Sequence, residues 1–173
     1  MTLRVRRLEP TDDRSTFRSG NVDLDRFFSR YAGQNQFRHH IGTSYVAVDP
    51  GGRILGFATV SASEIVPEAL PSAKRKRMPK YPIPVLRLAR LAVDEQATGK
   101  GVGSTLLRSV LFLAQQMAKE VGCAGVLVDA KSAAVAFYER LGFVKLDTLS
   151  GELGDRPLTV SLFLELGQVP RSK

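Results

Sequence analysis

Residues 91–104 read Leu-Ala-Val-Asp-Glu-Gln-Ala-Thr-Gly-Lys-Gly-Val-Gly-Ser and join the end of an apolar run to a long amphipathic segment. Three glycines stand at alternate positions, Gly99, Gly101 and Gly103. Because glycine carries no Cβ, the backbone N–H groups of this turn can approach an anion closely. We expect a helix from about Ser104, whose unpaired N–H groups and dipole also favour negative charge. The turn therefore predicts a pyrophosphate site.

Other phosphate-binding motifs do not fit this turn. A dinucleotide fold needs G-x-G-x-x-G after a first strand and an acidic residue about 20 positions later, and a nucleoside triphosphate loop needs G-K-[ST]. Neither pattern is present in the sequence. Taken alone, the turn also fits an ordinary glycine-rich connector.

Two motifs in the correct order resemble the GCN5-related N-acetyltransferase (GNAT) family. The segment Gln96-Ala97-Thr98-Gly99-Lys100-Gly101 resembles the Q/R-x-x-G-x-G/A signature with which that family holds coenzyme A. About thirty residues later, Ala136-Phe137-Tyr138-Glu139-Arg140-Leu141-Gly142-Phe143 resembles the Phe-Tyr block that closes the family core. The resemblance implies an acetyltransferase with acetyl-CoA as its cofactor.

The order of the elements predicts an α/β fold with a mixed sheet and helices on both faces. The family resemblance implies that residues 1–173 form a single GNAT domain, whose sheet is mostly antiparallel and twisted, with six to seven strands and a splayed parallel pair at the acetyl-CoA site. Strands are expected at residues 3–8, 44–48, 54–60, 85–93, 126–129, 143–146 and 158–164, the last two flanking a connection at 151–157. Helices are expected from a cap at Asn21 or Asp23 to Tyr31, from about Ser104 to Gly122, and over 133–141. Residues 67–84, with five prolines, are expected to form a loop with one short helical turn at most.

Composition limits the class of protein. The chain has 173 residues, its N-terminus is charged where a secretory signal would be apolar, and no segment reaches the ~18 apolar residues of a membrane span. We therefore expect a cytoplasmic protein without membrane contact. The single cysteine, Cys123, excludes an internal disulfide and is expected to be a buried thiol. His39 and His40 are expected to be exposed, and no metal site is predicted.

Most of the formal net charge of +8 comes from the segment between Ala69 and Val93, which contains no acidic residue. Dense positive charge attracts polyanions. The candidate phosphate contacts of an RNA substrate are Lys74, Arg75, Lys76, Arg77, Lys80, Arg87 and Arg90. A solvated loop that keeps the protein soluble is the alternative for the basic run, and Arg87 and Arg90 could equally serve the strand or the cofactor.

The family resemblance also implies the site residues. The cofactor-binding set is Leu91, Ala92, Val93, Gln96, Thr98, Gly99, Lys100, Gly101, Val102, Gly103, Ser104 and Phe137. The Val93 backbone N–H would face the thioester oxygen, and Tyr138 would act as the general acid toward the leaving thiolate. A tyrosine pKa of ~10 suits donation to a thiolate whose thiol has a pKa of ~8.5. The alternative for Tyr138 is an aromatic side chain that only packs.

Beyond the shared core, the chain resembles the acetyltransferase toxins of bacterial type II toxin-antitoxin pairs. The resemblance runs through Phe17-Arg18-Ser19-Gly20, Pro79-Lys80-Tyr81-Pro82-Ile83-Pro84 and Arg87-Leu88-Ala89-Arg90-Leu91-Ala92-Val93-Asp94. It implies acetylation of the α-amine of aminoacyl-tRNA, a homodimer and a ribbon-helix-helix antitoxin. The chain departs from the toxin pattern at residues 56–60 and 130–134. Acetylation of a small amine or a protein N-terminus, and a non-catalytic module that binds coenzyme A or RNA, remain alternatives.

Overall fold

The computed structural model describes residues 2–146 and 159–168, which form a seven-stranded mixed sheet with helices. The strands are β1 (Arg4–Arg7), β2 (Thr43–Val48), β3 (Ile54–Ile65), β4 (Ile83–Val93), β5 (Gly125–Lys131), β6 (Val144–Lys145) and β7 (Thr159–Glu165). The α-helices are α1 (Val22–Arg26), α2 (Ser72–Arg75), α3 (Val102–Glu120) and α4 (Val135–Arg140). The predicted connection 151–157 and Leu158 lie outside the described residues.

The strand order is β1-β2-β3-β4-β5-β7-β6. The pairs β1/β2, β2/β3, β5/β7 and β6/β7 are antiparallel, whereas β4 and β5 are parallel. This arrangement confirms the expected mixed sheet. No helix in the two described ranges is long and apolar enough to cross a bilayer.

The chain divides into two compact units. The first contains the residues up to Ser61 together with Leu88–Leu111, and the second contains Ala62–Arg87 together with the residues from Phe112 onward. Strands β3 and β4 contribute residues to both units.

An aromatic stack forms the core of the first unit. Phe28 and Phe57 lie parallel, with ring centroids 4.2 Å apart and 4° between their planes, and the ring of Phe17 meets both edge-on. Burying each of these rings contributes roughly 1.5–3 kcal/mol. The Asn21 side chain accepts a hydrogen bond from the Leu24 N–H at 3.0 Å, so Asn21, and not the alternative Asp23, is the N-cap of α1. After Arg26 the chain continues as wider π-helical turns rather than as one regular helix.

A smaller apolar cluster holds the second unit together. It joins β3, β4, β5 and β7 through Ile65, Leu70, Ile83, Val85, Leu127 and Phe163. Cys123 is buried as predicted and donates a hydrogen bond to the Gly125 carbonyl at 3.2 Å. Burial raises the pKa of this thiol, so it behaves as a core residue.

The main corrections to the predicted elements concern polar or proline-rich segments. Strand β3 continues to Ile65 rather than ending at residue 60. Residues 61–64 are half-buried or exposed and lack the apolar alternation that indicates a strand in the sequence. Residues 67–84 contain two short helical turns, Pro67–Ala69 and α2, where at most one was expected. A proline stands at or next to the start of each turn, where its fixed φ and missing donor are tolerated. Helix α3 begins at Val102, two residues before the expected start, and ends before Gly122, whose φ is +104°.

Candidate cofactor-binding and catalytic site

The glycine turn adopts a backbone that L side chains rarely adopt. Gly99 and Gly101 have φ values of +81° and +77°, and a Cβ built on either residue meets nothing within 4 Å. Glycine is therefore required here by the backbone conformation and not by crowding from the protein. The turn presents an open backbone surface at the N-terminus of the 19-residue helix α3.

Most N–H groups of this turn have no partner in the described part of the chain. Lys100 N–H donates to the Ala97 carbonyl at 3.3 Å, and Thr105 N–H donates to the Gly101 carbonyl at 3.0 Å. The N–H groups without an acceptor within residues 2–146 and 159–168 are those of Gly99, Gly101, Val102, Gly103 and Ser104. A set of free donors at the positive end of a helix dipole suits the diphosphate of coenzyme A. The predicted pyrophosphate turn therefore has the donors that this ligand needs.

Asp94 anchors the chain that leads into the turn. Its side chain is buried, and its carboxylate accepts hydrogen bonds from Gln96 N–H at 2.9 Å and from Arg18 N–H at 3.2 Å. Its own N–H donates to the Leu55 carbonyl at 2.8 Å. This role was not predicted from the sequence. A signal was available, because an aspartate directly after a strand often accepts a hydrogen bond from the N–H two residues later.

Gln96, one of the predicted cofactor residues, is exposed and held by a side chain that no sequence motif singles out. Arg53 Nη2 donates to Gln96 Oε1 at 2.8 Å and lies 3.4 Å from Asp94 Oδ1. Arg53 comes from the β2–β3 turn, more than forty residues earlier, so no local pattern connects it with the glycine turn.

The other predicted cofactor residues of the first unit differ in how exposed they are. Leu91 and Val93 are half-buried, while Thr98, Lys100 and Ser104 are exposed. The side chains of Ala92 and Val102 are buried in the protein, at 5% and 1% exposure. Neither side chain is therefore available to a cofactor.

Tyr138 lies in α4, in the second unit, and is almost fully buried between two aromatic rings. Phe137 and Phe143 meet its ring edge-on, with centroids 5.1 Å and 5.4 Å away. Burial raises the pKa of Tyr138 to about 12. The ordinary value of ~10 expected from the sequence is wrong because exclusion of water destabilises the phenolate. The phenol remains a protonated donor throughout the neutral and mildly alkaline range.

The predicted RNA-contact residues are more engaged within the fold than their sequence suggests. Lys74 Nζ and Arg77 Nη2 share Glu165 Oε2, at 3.2 Å and 3.4 Å, and the Lys74 side chain is mostly buried. The Arg75 guanidinium donates to the Leu70 carbonyl at 3.1 Å. Lys76 and Lys80 are exposed, so they present their charge to solvent.

The two arginines of β4 have separate roles in the fold. Arg87 Nη2 lies 2.6 Å from Asp129 Oδ2, and Ser161 Oγ donates to the other oxygen of that carboxylate at 2.7 Å. Arg90, in the first unit, places its guanidinium carbon 3.7 Å from the centre of the Phe27 ring. These contacts fit the alternative in which both arginines serve the fold, and their contacts with RNA or the cofactor stay predictions.

Comparison with known proteins agrees with this arrangement. Residues 40–145 match the family model described as an acetyltransferase (GNAT) domain. The chain belongs to the GNAT acetyltransferase family. This GNAT protein is therefore an N-acetyltransferase, which removes the non-catalytic alternative.

Two curated relatives of this GNAT protein are described as toxins. The "tRNA-acetylating toxin" of Mycobacterium tuberculosis is 34% identical over 139 residues, which are 80% of this chain and 82% of the relative. The "Probable toxin TacT" of Sinorhizobium fredii is 27% identical over 155 residues, which are 82% of this chain and 86% of the relative.

Solved structures of toxins share the fold. AtaT complexed with acetyl-methionyl-tRNAfMet superposes with a TM-score of 0.82 at 28% identity, covering 96% of both chains. A tyrosine-to-phenylalanine mutant of KacT gives the same TM-score, identity and coverage. AtaTR bound with AcCoA gives a TM-score of 0.76 at 29% identity, covering 95% of this chain and 94% of the other.

Proposed function

We propose that this acetyltransferase moves the acetyl group of acetyl-CoA to the α-amino group of aminoacyl-tRNA and thereby acts as a toxin that blocks translation. The unpaired N–H groups of the glycine turn carry the cofactor part of the proposal. The RNA part is supported by the net charge of +8 and by relatives described as tRNA-acetylating or complexed with an acetylated tRNA.

The cofactor is held by backbone groups in this proposal. The free N–H groups from Gly99 to Ser104 take the diphosphate, and the exposed Lys100 adds charge beside it. The backbone of Leu91, Ala92 and Val93 pairs with the pantetheine amides, and the Val93 N–H stabilises the oxyanion that forms on attack. Phe137 packs against the pantetheine. When bound, acetyl-CoA supplies a thioester that is already activated for attack by an amine.

Tyr138 is the proposed donor to the leaving sulfur. Its buried phenol, with a pKa of about 12, stays protonated and can donate a hydrogen bond from Oη as negative charge develops. Full transfer of that proton to a thiolate whose thiol has a pKa of ~8.5 would be unfavourable by about 5 kcal/mol. Tyr138 is therefore proposed to act mainly as a hydrogen-bond donor, while the proton lost by the attacking nitrogen neutralises the thiolate.

An α-amine needs less help from a general base than a lysine amine does. Its pKa of about 7.7–8.0 leaves a sizeable neutral fraction near pH 7.5, whereas a lysine amine with a pKa of ~10.4 is neutral in roughly one molecule per thousand. The positive charge of the chain also disfavours a cationic polyamine. Both arguments favour an amino group carried by a polyanion.

The proposal also covers the oligomeric state of the protein, its location in the cell and its antitoxin. We propose a single acetyltransferase domain that forms a homodimer in the cytoplasm and is neutralised by an antitoxin of ribbon-helix-helix type. One structural relative is described as a toxin bound to the C-terminus of an antitoxin, at 25% identity and a TM-score of 0.74. Light scattering of the purified chain tests the dimer, and a small gene of ribbon-helix-helix type immediately upstream tests the antitoxin.

The deciding experiment offers labelled acetyl-CoA with separate pools of charged tRNA, free amino acids, polyamines and peptides. We expect label on charged tRNA, released as the free N-acetylamino acid when mild alkali hydrolyses the ester that joins it to the tRNA. Uncharged tRNA and tRNA with a blocked α-amine are the matched controls. Label confined to polyamines or peptides would refute the tRNA proposal.

A further inference from the structure

A groove in the first unit carries positive charge that the basic segment 69–93 does not account for. It has a volume of about 310 Å³ and lies along α1 and the π-helical turn that follows it. Its lining residues are Arg18, Val22, Asp25, Arg26, Ser29 and Arg30. Three of the six are arginines, which come together from a sequence span of thirteen positions.

Two of these arginines are almost uncompensated. The Arg30 side chain is exposed and makes no ion pair or hydrogen bond with any residue of 2–146 and 159–168. Arg26 has a single ion pair, with Asp23 at 3.6 Å, and both side chains are largely exposed. Exposed pairs of this kind contribute about 0–1 kcal/mol, so Arg26 can leave Asp23 for a better anion.

The remaining charged groups of the groove are held by neutral partners. Arg18 Nη1 donates to the carbonyls of Ser15 and Phe17, which leaves its charge unbalanced. The Asp25 carboxylate accepts hydrogen bonds from the Ser19 N–H at 3.0 Å and the Ser19 hydroxyl at 2.6 Å. The three arginines and the one carboxylate give the lining a net charge of +2. Two exposed arginines beside Arg18 are suited to phosphate oxygens, which guanidinium groups can bind in a bidentate manner.

We propose that this groove binds backbone phosphates of the RNA substrate, and this inference rests on the proposed function. An RNA backbone is favoured over a single small anion because the charges are spread along a helical surface. An RNA backbone presents phosphates in a row, and each contact releases counterions. Sequence-independent contacts of this type position a nucleic acid without reading its bases.

The backbone of Arg18 ties the groove to the chain that leads into the cofactor turn. Arg18 N–H donates to Asp94 Oδ2 at 3.2 Å, and Glu95 N–H donates to the Arg18 carbonyl at 2.8 Å. Both ends of this contact lie in the first unit. RNA held at Arg18 is therefore held at a defined position relative to the segment that leads into the glycine turn.

The test compares two doubly neutralised variants of equal net charge. Arg26→Gln/Arg30→Gln removes the two uncompensated charges of the groove, and Arg4→Gln/Lys119→Gln removes two exposed charges elsewhere. Binding of an uncharged acceptor-arm RNA hairpin is measured from 50 to 300 mM NaCl, and acetylation of charged tRNA is measured in parallel.

We expect the groove variant to bind the hairpin roughly 10- to 100-fold more weakly at low salt, with a salt slope smaller by about 2. Its KM for charged tRNA should rise while kcat at saturating tRNA stays near the wild-type value. The affinity for coenzyme A should be unchanged, and the control variant should match wild type in every assay.

Three outcomes would overturn the inference. An unchanged RNA affinity and salt slope would remove the groove from RNA binding. Loss of coenzyme A affinity without loss of dephospho-coenzyme A affinity would assign the groove to the cofactor phosphate. Weakened binding of polyglutamate alone would assign it to an acidic protein. If the wild-type enzyme acetylates no charged tRNA, the proposed function fails instead, whatever the hairpin shows.

Discussion

Gly56 of β3 lies against Val102 at the start of α3. A Cβ built on Gly56 would be 2.7 Å from Val102 Cγ1 and 3.0 Å from both the Ala92 carbonyl oxygen and Leu106 Cδ1. The absence of a side chain on the strand therefore sets how closely the first turn of the helix approaches β3. Gly56 begins segment 56–60, where the sequence departs from the toxin pattern that it otherwise resembles, and this contact gives the glycine a structural reason.

Replacing Gly56 by alanine should move the helix that carries the cofactor turn. Because one neighbour is a backbone carbonyl, the methyl group cannot be accommodated by side-chain rotation alone, and overpacking of this kind typically destabilises by about 1–3 kcal/mol. We expect a lower free energy of unfolding in urea and weaker acetyl-CoA binding by calorimetry. Gly167→Ala is the control, since nothing lies within 4 Å of its Cβ position. Equal stability of the two variants would contradict the packing argument.

Replacing Asp94 by alanine should loosen the chain that leads into the turn. The change leaves the N–H groups of Gln96 and Arg18 without their buried acceptor, at a cost of about 1–3 kcal/mol each. We expect reduced stability in urea together with a raised KM for acetyl-CoA. Glu95→Ala, an exposed neighbour, should change neither quantity by much. A normal KM in the Asp94 variant would show that the turn does not depend on this anchor.

Tyr138→Phe should lower the rate and spare the cofactor. Removing a hydrogen-bond donor to the charge that develops in the transition state typically reduces kcat by about 10²–10³-fold. We expect this loss with an unchanged dissociation constant for acetyl-CoA, measured by calorimetry. Tyr81→Phe is the control because Tyr81 is 66% exposed. A variant that keeps its full rate would assign Tyr138 to packing alone.

The pH dependence of acetyl transfer should have one limb in the accessible range. The neutral fraction of an α-amine rises through its pKa of about 7.7–8.0, so the rate should increase up to about pH 8.5 and then level off. Tyr138 loses its proton only near pH 12, so it should cause no decline below about pH 10. Initial rates with charged tRNA from pH 6 to 9.5 test this. A decline above pH 9 that Tyr138→Phe abolishes would mean that its pKa is close to the ordinary value.

The basic segment should separate into structural and RNA-facing residues. Lys74→Ala removes a mostly buried ion pair with Glu165 and should reduce the free energy of unfolding by about 1 kcal/mol or more. Lys76→Gln/Lys80→Gln should leave stability unchanged while lowering the salt slope of RNA binding by about 1–2. Urea unfolding and filter binding distinguish the two. An RNA affinity that the Lys76/Lys80 pair does not affect would confine the RNA contacts to other surfaces.

The sequence predicted correctly those features that depend on a few adjacent residues. Glycine at φ values near +80° is required by backbone sterics, so the residue types at Gly99 and Gly101 were enough to indicate a turn. The same holds for the Asn21 cap and for the end of α3 before Gly122, each of which depends on a few neighbouring residues. The end of β3 was misplaced because half-exposed polar residues have no hydrophobic alternation, although they extend the strand.

Charge was the property that sequence described least well. Along the chain, Lys74 and Arg77 stand in a run with no acidic neighbour, yet Glu165 approaches both from about ninety residues away. Conversely, Arg26 and Arg30 stand among acidic and polar residues and attract no notice, but folding leaves them almost uncompensated beside Arg18.

The amino-acid sequence by itself determined the family, the order of the strands along the chain and the glycine turn, because these depend on motifs and backbone preferences of adjacent residues. Only the tertiary structure decided that Asp94 and Arg53 support the turn and that Gly56 lets helix α3 pack closely on β3. It also decided that Tyr138 is buried enough to have a pKa of about 12. The reason is physical. Hydrogen bonding, desolvation and charge compensation depend on which distant residues fill the surrounding space, and that is settled only when the chain packs.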